Sequence, residues 1–488
     1  MAQKSTNPSV FSYVDWTTII IYLLLVAAGA VSIYAASYDY DHASIFEFSE
    51  FSGKQIRWIG LSLAAGLVLL LIDVRVYENY AYIIYVALLL LLLVTIFIAP
   101  DIKGSRSWLV IGGMSLQPAE FGKFATALAL AKLFSSYNFV LNASHKNYVK
   151  ALLIIFLPII LILGQKETGS ALVYLSLFFV LYREGMSGMV LLAALCAVVI
   201  FVVAIKFTDS LLLGIPVGQA AVFILLMVLM VGMLAIYCKR FDAARNVALW
   251  FIATGALATV LALSGVSVPG TWFFIGVIFT AIIYIIVLML HTKARKLIIT
   301  AASITAGVAF LFSVNYAFTE VLQPHQQMRI KVALGIEEDL RGAGYNVNQS
   351  KIAIGSGGVF GKGFLNGTQT KLKYVPEQHT DFIFCTIGEE EGFIGSAAVL
   401  VAFVVLIFRI IAIAERQPGA FGRVYAYCVA SYFIFHLAIN VGMVIGLCPV
   451  IGIPLPFFSY GGSSLWGFTF LLFILLRIDA ARRERPSY

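Results

Sequence analysis

Runs of about twenty apolar residues recur along nearly the whole chain, and each is long enough to cross a ~30 Å hydrocarbon layer as a helix. In lipid, every backbone N–H and C=O must find its partner within the protein, which leaves helices and closed barrels. The runs here are continuous rather than alternating, which selects helices. Hydrophobic residues make up 61% and charged residues 12% of the sequence. No soluble domain needs that much hydrocarbon. The expected fold is all-α and polytopic, with spans at 16–38, 55–74, 79–99, 118–135, 150–164, 168–182, 187–207, 216–237, 246–263, 270–290, 297–318, 381–408, 421–446 and 463–477. The pair 150–164 and 168–182 is short and abutting, so the expected count is about fourteen, give or take two. The first run is too long, and followed by too many others, to be read as a cleaved leader.

Basic residues fix an expected orientation. Lys239, Arg240 and Arg245 fall in one short loop, Lys293, Arg295 and Lys296 in another, and Arg409, Arg416 and Arg423 further on. All of these share the cytoplasmic side if both termini are cytoplasmic, which places loops 100–117 and 319–380 outside. The net charge of +8 is then a topology signal. It is no sign of nucleic acid, because no basic stripe with interleaved aromatics lies on a soluble face. The five cysteines are scattered without a C-x-x-C, so neither a zinc site nor a disulfide framework is expected.

The chain reads as a single membrane domain, 1–488. Residues 208–296 look inserted, since they hold few polar residues within spans and contribute an even number of crossings. Loop 319–380 is too long for a plain connector. Its Ile330, Val332, Ile352, Ile354, Val359 and Phe364 favour folding back on the membrane core, with 346–355 as a short amphipathic helix on the surface.

Four places could carry chemistry. Residues 374–392 end this loop and set Glu377, His379 and Asp381 at the lip of the bilayer, where unpaired charge is costly and therefore points to function. Asp381 is the best candidate general base; the competing reading is a helix N-cap. His379 and His325 could join it around a cation, although no spacing fixes that. Glu389 stands ~12 Å along the axis from Asp381, too far to act with it directly. Glu120 and Lys123, three apart on one helix face, either line a cavity for a polar headgroup or form a buried ion pair. Lys103, Arg106 and Trp108, just upstream, suit an anionic headgroup on the outer side. The run Ile354-Gly-Ser-Gly-Gly-Val-Phe-Gly-Lys-Gly363 fails the P-loop pattern at Ser356 and Gly363. Beside Lys362 it reads either as a nest of N–H groups for phosphate or as a tight turn needing positive φ. Finally, 448–464, with three prolines and paired glycines, cannot be regular helix. Irregular backbone at membrane depth must be buried or line a cavity, so a re-entrant, substrate-lining loop is expected, with Ser459 as its polar contact.

At these residues the chain resembles the SEDS family (shape, elongation, division and sporulation), and most closely its RodA-type elongation members. The matching segments are Gln117-Pro118-Ala119-Glu120-Phe121-Gly122-Lys123, the run Gly342-Ala343-Gly344-Tyr345 through Gly363, and Gly367-Thr368-Gln369-Thr370-Lys371. They continue with Pro376 to Glu390, Asn440-Val441-Gly442-Met443, and Pro449 to Ser464. The likeness covers nearly the whole chain outside about 208–296, and the four extra spans depart from a family core of about ten. Two motifs also depart. Gln165-Lys166-Glu167-Thr168-Gly169-Ser170 stands where the family often has Gln-Pro-Asp-Leu-Gly-Thr, and Ser107 stands where a basic residue usually precedes the tryptophan of the first outer loop.

The resemblance implies a peptidoglycan glycosyltransferase that polymerises lipid II into β-1,4 strands with inversion and release of undecaprenyl pyrophosphate. It puts the family's essential aspartate on Asp381, its Glu and Lys of the fourth span on Glu120 and Lys123, and its Gln-x-x-Arg-Ile arginine on Arg329. Lys362, Glu377, His379, Thr380, Arg106 and Ser459 complete the expected substrate contacts. A divalent cation, magnesium or manganese, is allowed for, and no organic cofactor is expected. The implied partners are lipid II, the nascent strand, a class B penicillin-binding protein and other elongation-complex membrane proteins, in the bacterial cytoplasmic membrane. The competing functions are a lipid II flippase or transporter, for which intramembrane charge and broken segments also serve, and a non-catalytic scaffold.

Overall fold

The computed structural model describes residues 10–38, 44, 46–102, 104–111, 114–207, 211–212, 214–264, 269–337, 339, 342 and 344–484. Lys103 and Ala343, named above, lie outside them, as do 208–210, 213 and 265–268 of the stretch read as inserted. The chain begins with α1 (Trp16–Ser37), α2 (Phe51–Leu71), α3 (Val74–Ile98), α4 (Pro118–Phe134), α5 (His145–Gly164) and the broken pair α6 (Thr168–Tyr174) and α7 (Leu177–Arg183). It continues through α8 (Gly188–Lys206), α9 (Val217–Gly232), α10 (Phe241–Leu263), α11 (Gly270–Thr292), α12 (Lys296–Tyr316) and α13 (Pro324–Ala333). It ends with α14 (Tyr345–Gly357), α15 (Thr368–Lys371), α16 (Ile383–Glu390), α17 (Gly392–Glu415), α18 (Ala420–Val444) and α19 (Gly462–Glu484). Among the described residues, 12 helices are long and apolar enough to cross a membrane. The 17-residue α4 and the α6–α7 pair accompany them, in agreement with the expected all-α fold. Two short hairpins are the exceptions: Leu109–Ile111 with Met114–Leu116, and Leu211–Leu212 with Ile215–Pro216.

The chain divides into two compact units, Met1–Ser187 with Tyr345–Tyr488, and Gly188–Gly344. The second is wider at both ends than 208–296. In the first, every α4 residue except Phe124 and Lys132 is buried. A helix with no lipid-facing side belongs at the centre of its bundle, and α4 packs against α3, α5, α18 and α19. Pro118 starts it, at the position where a missing N–H costs nothing. Asp15 caps α1 by accepting from Thr18 N (3.2 Å) and also takes Arg409 and Arg416, each at 2.8 Å. Arg416 pairs with buried Asp479 as well, tying α1, α17 and α19 at one end of the bundle.

The second unit stacks Phe223 of α9 on Phe274 of α11 at 5.3 Å, within a core that includes Leu226, Ile278 and Ile304. Loop 319–380 is not a plain loop. It holds α13, closed by a Gln323–Gln326 capping box, and then α14 and α15. A helix does stand where a short surface helix was expected at 346–355: it is α14, which packs against α16 and buries Ser350, Ala353 and Gly357.

The expected span 381–408 is a correction. The helix breaks at Glu391, and the long span is α17. The cause is a change of hydrogen-bond partner. The carbonyls of Glu389 and Glu390 accept from Lys362 N (3.0 Å) and Gly363 N (2.9 Å) instead of from their own next turn. The first N–H groups of α17 are satisfied the same way, Phe393 N by Gly358 O (2.9 Å) and Ile394 N by Val359 O (3.1 Å).

Candidate active site

The stretch 445–461 between α18 and α19 is irregular, and Ile453, Leu455, Phe457, Phe458 and Ser459 within it are buried. Its place is set by three neighbours. On α18, Asn440 is fully buried and its Nδ2 donates to Ile453 O (2.7 Å) and to Asp381 O (2.8 Å). Gly169 at the start of α6 lies so close that a Cβ there would stand 2.7 Å from Ile451 O. Tyr460 N donates to His379 O at 2.8 Å. The loop therefore joins the 377–382 turn, the start of α6 and the end of α18.

Asp381 sits half-buried in that turn, ahead of α16. The N-cap of α16 is Phe382, and no side chain caps the helix. The capping reading of Asp381 is therefore not the one the fold adopts. A Cβ on Gly452 would stand 3.4 Å from Asp381 Oδ2, so the carboxylate faces the irregular loop where that loop carries no side chain. Around it, Thr380 Oγ1 donates to Glu377 O (3.1 Å) and Glu377 Oε2 (3.2 Å). His379 stacks on Phe51 at 4.2 Å.

Glu120 and Lys123 form a 2.7 Å ion pair with both side chains at most 3% exposed. Of the two readings of this pair, the structure shows the buried ion pair. Lys123 Nζ also lies 3.1 Å from His436 Nε2 and 4.3 Å over the Phe468 ring. Nearby, Glu167 accepts from Gln117 Nε2 (2.7 Å), Ser170 Oγ (3.0 Å) and Ser105 Oγ (3.4 Å). Glu167 thus serves as the hub of a polar cluster at the starts of α4 and α6. Arg106 beside it is exposed, and its backbone N donates to Gln165 O (3.0 Å).

Other expected contacts are spent on the fold or belong to the second unit. Lys362 Nζ binds Glu389 Oε1 and Thr368 Oγ1, each at 2.7 Å. Glu389 also accepts from Gln369 N and Thr370 N, each at 2.9 Å, and so caps α15. Burial alone would raise the Glu389 carboxyl, but these donors outweigh it and hold the group below the usual carboxylate range. Its neighbour Glu390 has no such cation, and burial pushes its carboxyl up to about 7. The glycine-rich run is the tight turn of the two readings: Gly358, Gly361 and Gly363 have positive φ, and the N–H groups of 361–363 are donated to Gly357, Glu389 and Glu390 carbonyls. Ser459 Oγ accepts from Leu455 N (2.8 Å), which closes a turn inside the irregular loop. Arg329 lies exposed on α13 in the second unit. Among the described residues no three His, Cys, Asp or Glu side chains converge on a metal position. All five cysteines are free thiols.

Of two buried residues that organise this site, Asn440 stands in the sequence reading only as part of the matching segment 440–443, and His436 does not stand there at all. The signal was there: both are polar, four apart, in the mostly apolar second half of α18.

The chain matches the FtsW/RodA/SpoVE family, described as cell cycle proteins, over residues 15–213 and 219–484. It is 30% identical over 469 residues to the peptidoglycan glycosyltransferase RodA of Treponema pallidum, covering 96% of this chain and 97% of that protein. It is likewise 30% identical over 458 residues to the peptidoglycan glycosyltransferase MrdB of Escherichia coli, covering 93% and 90%. Among solved structures it resembles a chain of a peptidoglycan synthase complex with a TM-score of 0.60 and 22% identity, covering 96% and 98%. It resembles the rod shape determining protein RodA of Thermus thermophilus with a TM-score of 0.54 and 21% identity, covering 97% and 98%.

Proposed function

This chain belongs to the FtsW/RodA/SpoVE family, and we propose that it is a multi-pass membrane glycosyltransferase of cell-wall synthesis that polymerises lipid II. The observation that carries the reading is Asp381, half-buried in a turn that Asn440 pins to the irregular loop, with its carboxylate facing Gly452. A carboxylate held that way can accept a proton from a hydroxyl brought into the same recess. Asp381 takes the proton of the acceptor sugar's 4-hydroxyl. The oxygen attacks the donor's anomeric carbon as the bond to undecaprenyl pyrophosphate breaks, and the bonding electrons leave with the phosphate. Attack opposite the leaving group turns an α-linked donor into a β-1,4 strand.

Charge developing on the pyrophosphate needs positive groups nearby. Of the basic side chains named as substrate contacts, Lys123 and Lys362 are committed to carboxylates. Arg106 is the exposed one in the unit that holds Asp381, and is the pyrophosphate contact in this reading. The assay that tests the function is polymerisation of labelled lipid II by the purified full chain. Transport of lipid II without polymer would favour a flippase, and neither activity would leave a scaffold.

The orientation follows the basic loops, with both termini cytoplasmic. Single cysteines at 241 and 294 should resist a membrane-impermeant thiol reagent in intact cells, while one at 370 reacts; the reverse pattern would invert the assignment. The partner in this reading is a class B penicillin-binding protein, and α17 offers it a surface. Phe393, Ile394, Val401, Val404, Val405 and Phe408 are exposed along one stripe of that helix. Small Ala397 and Ala398 near its start allow close helix approach. Photo-crosslinkers at 398 and 401 should capture a single-span partner, and capture from α10 alone would move the interface.

A further inference from the structure

Glu120 and Lys123 are buried against each other, and their ion pair is not isolated from Asp381. His436 of α18 is 1% exposed and stands between them and the irregular loop. Its Nδ1 lies 3.0 Å from Pro454 O, and its Nε2 lies 3.1 Å from Lys123 Nζ. A carbonyl only accepts, so Nδ1 carries the proton and donates. Nε2 then holds the lone pair and accepts from the ammonium. Both contacts are satisfied by one neutral tautomer. Phe468 fixes the ring edge-on at 4.7 Å and takes the same ammonium over its face.

One turn further along α18, on the same face, Asn440 holds Ile453 O, the carbonyl next to Pro454 O, and with the same amide holds Asp381 O. Two consecutive carbonyls of the loop are therefore gripped from one helix face. One grip leads to the buried ion pair and the other to the turn of the carboxylate. The geometry points to His436 as a positioning residue that transmits the placement of the Glu120–Lys123 pair, through Ile453 and Pro454, to the turn bearing Asp381. This rests on the glycosyltransferase reading for its activity readout only.

Two substitutions separate positioning from simple packing. His436→Gln can present Nε2 to Pro454 O and Oε1 to Lys123, and so keeps both links. His436→Leu fills the space and keeps neither. In lipid II polymerisation by the purified full chain, His436→Leu should lower kcat by roughly 10²-fold, the loss a small misplacement of a reacting group produces, with KM within a few-fold. His436→Gln should stay within a few-fold of wild type in both. Hydrogen exchange gives a second readout that needs no activity: His436→Leu should speed amide exchange in 448–458 and 377–382, and His436→Gln should not. Near-wild-type kcat for the leucine variant overturns the proposal, as does unchanged exchange in those two segments. Equal losses for leucine and glutamine overturn it too, since they would mean that size alone matters. If the wild-type chain makes no polymer, the glycosyltransferase reading fails by itself, and the exchange comparison still decides the role of His436.

Discussion

Asp381→Asn should abolish strand synthesis while leaving the protein folded and in the membrane. Asparagine is nearly the size of aspartate but cannot take up a proton usefully at neutral pH. Loss of general-base help costs typically 10²–10⁴-fold in rate, or roughly 3–5 kcal/mol of barrier. The substitution is structurally mild for a specific reason. The link that anchors this turn is made by the backbone carbonyl of Asp381 to Asn440 Nδ2, and a side-chain change leaves that carbonyl in place. No helix cap is lost either, because Phe382 occupies the cap position of α16. The measurement is polymer length and yield on gels from labelled lipid II, beside the thermal midpoint of each purified variant. Polymerisation within a few-fold of wild type would remove Asp381 from the chemistry and turn attention to Glu377, which shares the turn.

How much of this was legible in the sequence depends on which interactions are local. The spans were legible because hydrophobic length is a property of a contiguous run, and the irregular segment after α18 was legible because proline and glycine exclude helix on their own account. The break at Glu391 was not. Glu389-Glu390-Glu391-Gly392 interrupts the apolar run there, but polar residues do not by themselves end a helix; what ends α16 is the diversion of two carbonyls to Lys362 N and Gly363 N, residues nearly thirty positions earlier, with Gly392 at positive φ. The same distance effect reassigned Lys362. From sequence it is a lysine in a glycine-rich loop and therefore a phosphate candidate, but the fold sets it 2.7 Å from a buried glutamate. Asp381 could be placed at the helix boundary from its neighbours, whereas setting the cap reading aside needed the fold, since Phe382 and not Asp381 holds the cap position of α16. His436 and Asn440 carry the link between the two halves of the candidate site, and their partners, Lys123, Pro454, Ile453 and Asp381, come from three other segments of the chain. Spacing within α18 shows that they share a face but not what that face meets.

The Glu120–Lys123 pair should give the largest change in stability. Each side chain is at most 3% exposed and the pair is 2.7 Å apart. Removing one member leaves the other charged, buried and unmatched, a loss of about 3–5 kcal/mol. Set against a total stability of about 5–15 kcal/mol, that is a large fraction. Lys123→Met should therefore lower the thermal midpoint and the yield of folded protein extracted from membranes, and Glu120→Gln should do so less, because the amide can still accept from Lys123. The double change Glu120→Leu with Lys123→Leu removes both charges in apolar surroundings, where replacing a buried pair is often neutral. It should recover most of the lost stability. Activity should not return with it, because the double variant leaves His436 Nε2 without its donor and the loop at Pro454 without that restraint. Thermal unfolding followed by size exclusion in detergent gives the first readout and lipid II polymerisation the second. If Lys123→Met is as stable as wild type, the pair contributes nothing to the fold. If the double variant is stable and polymerises normally, the pair does not position Asp381 either.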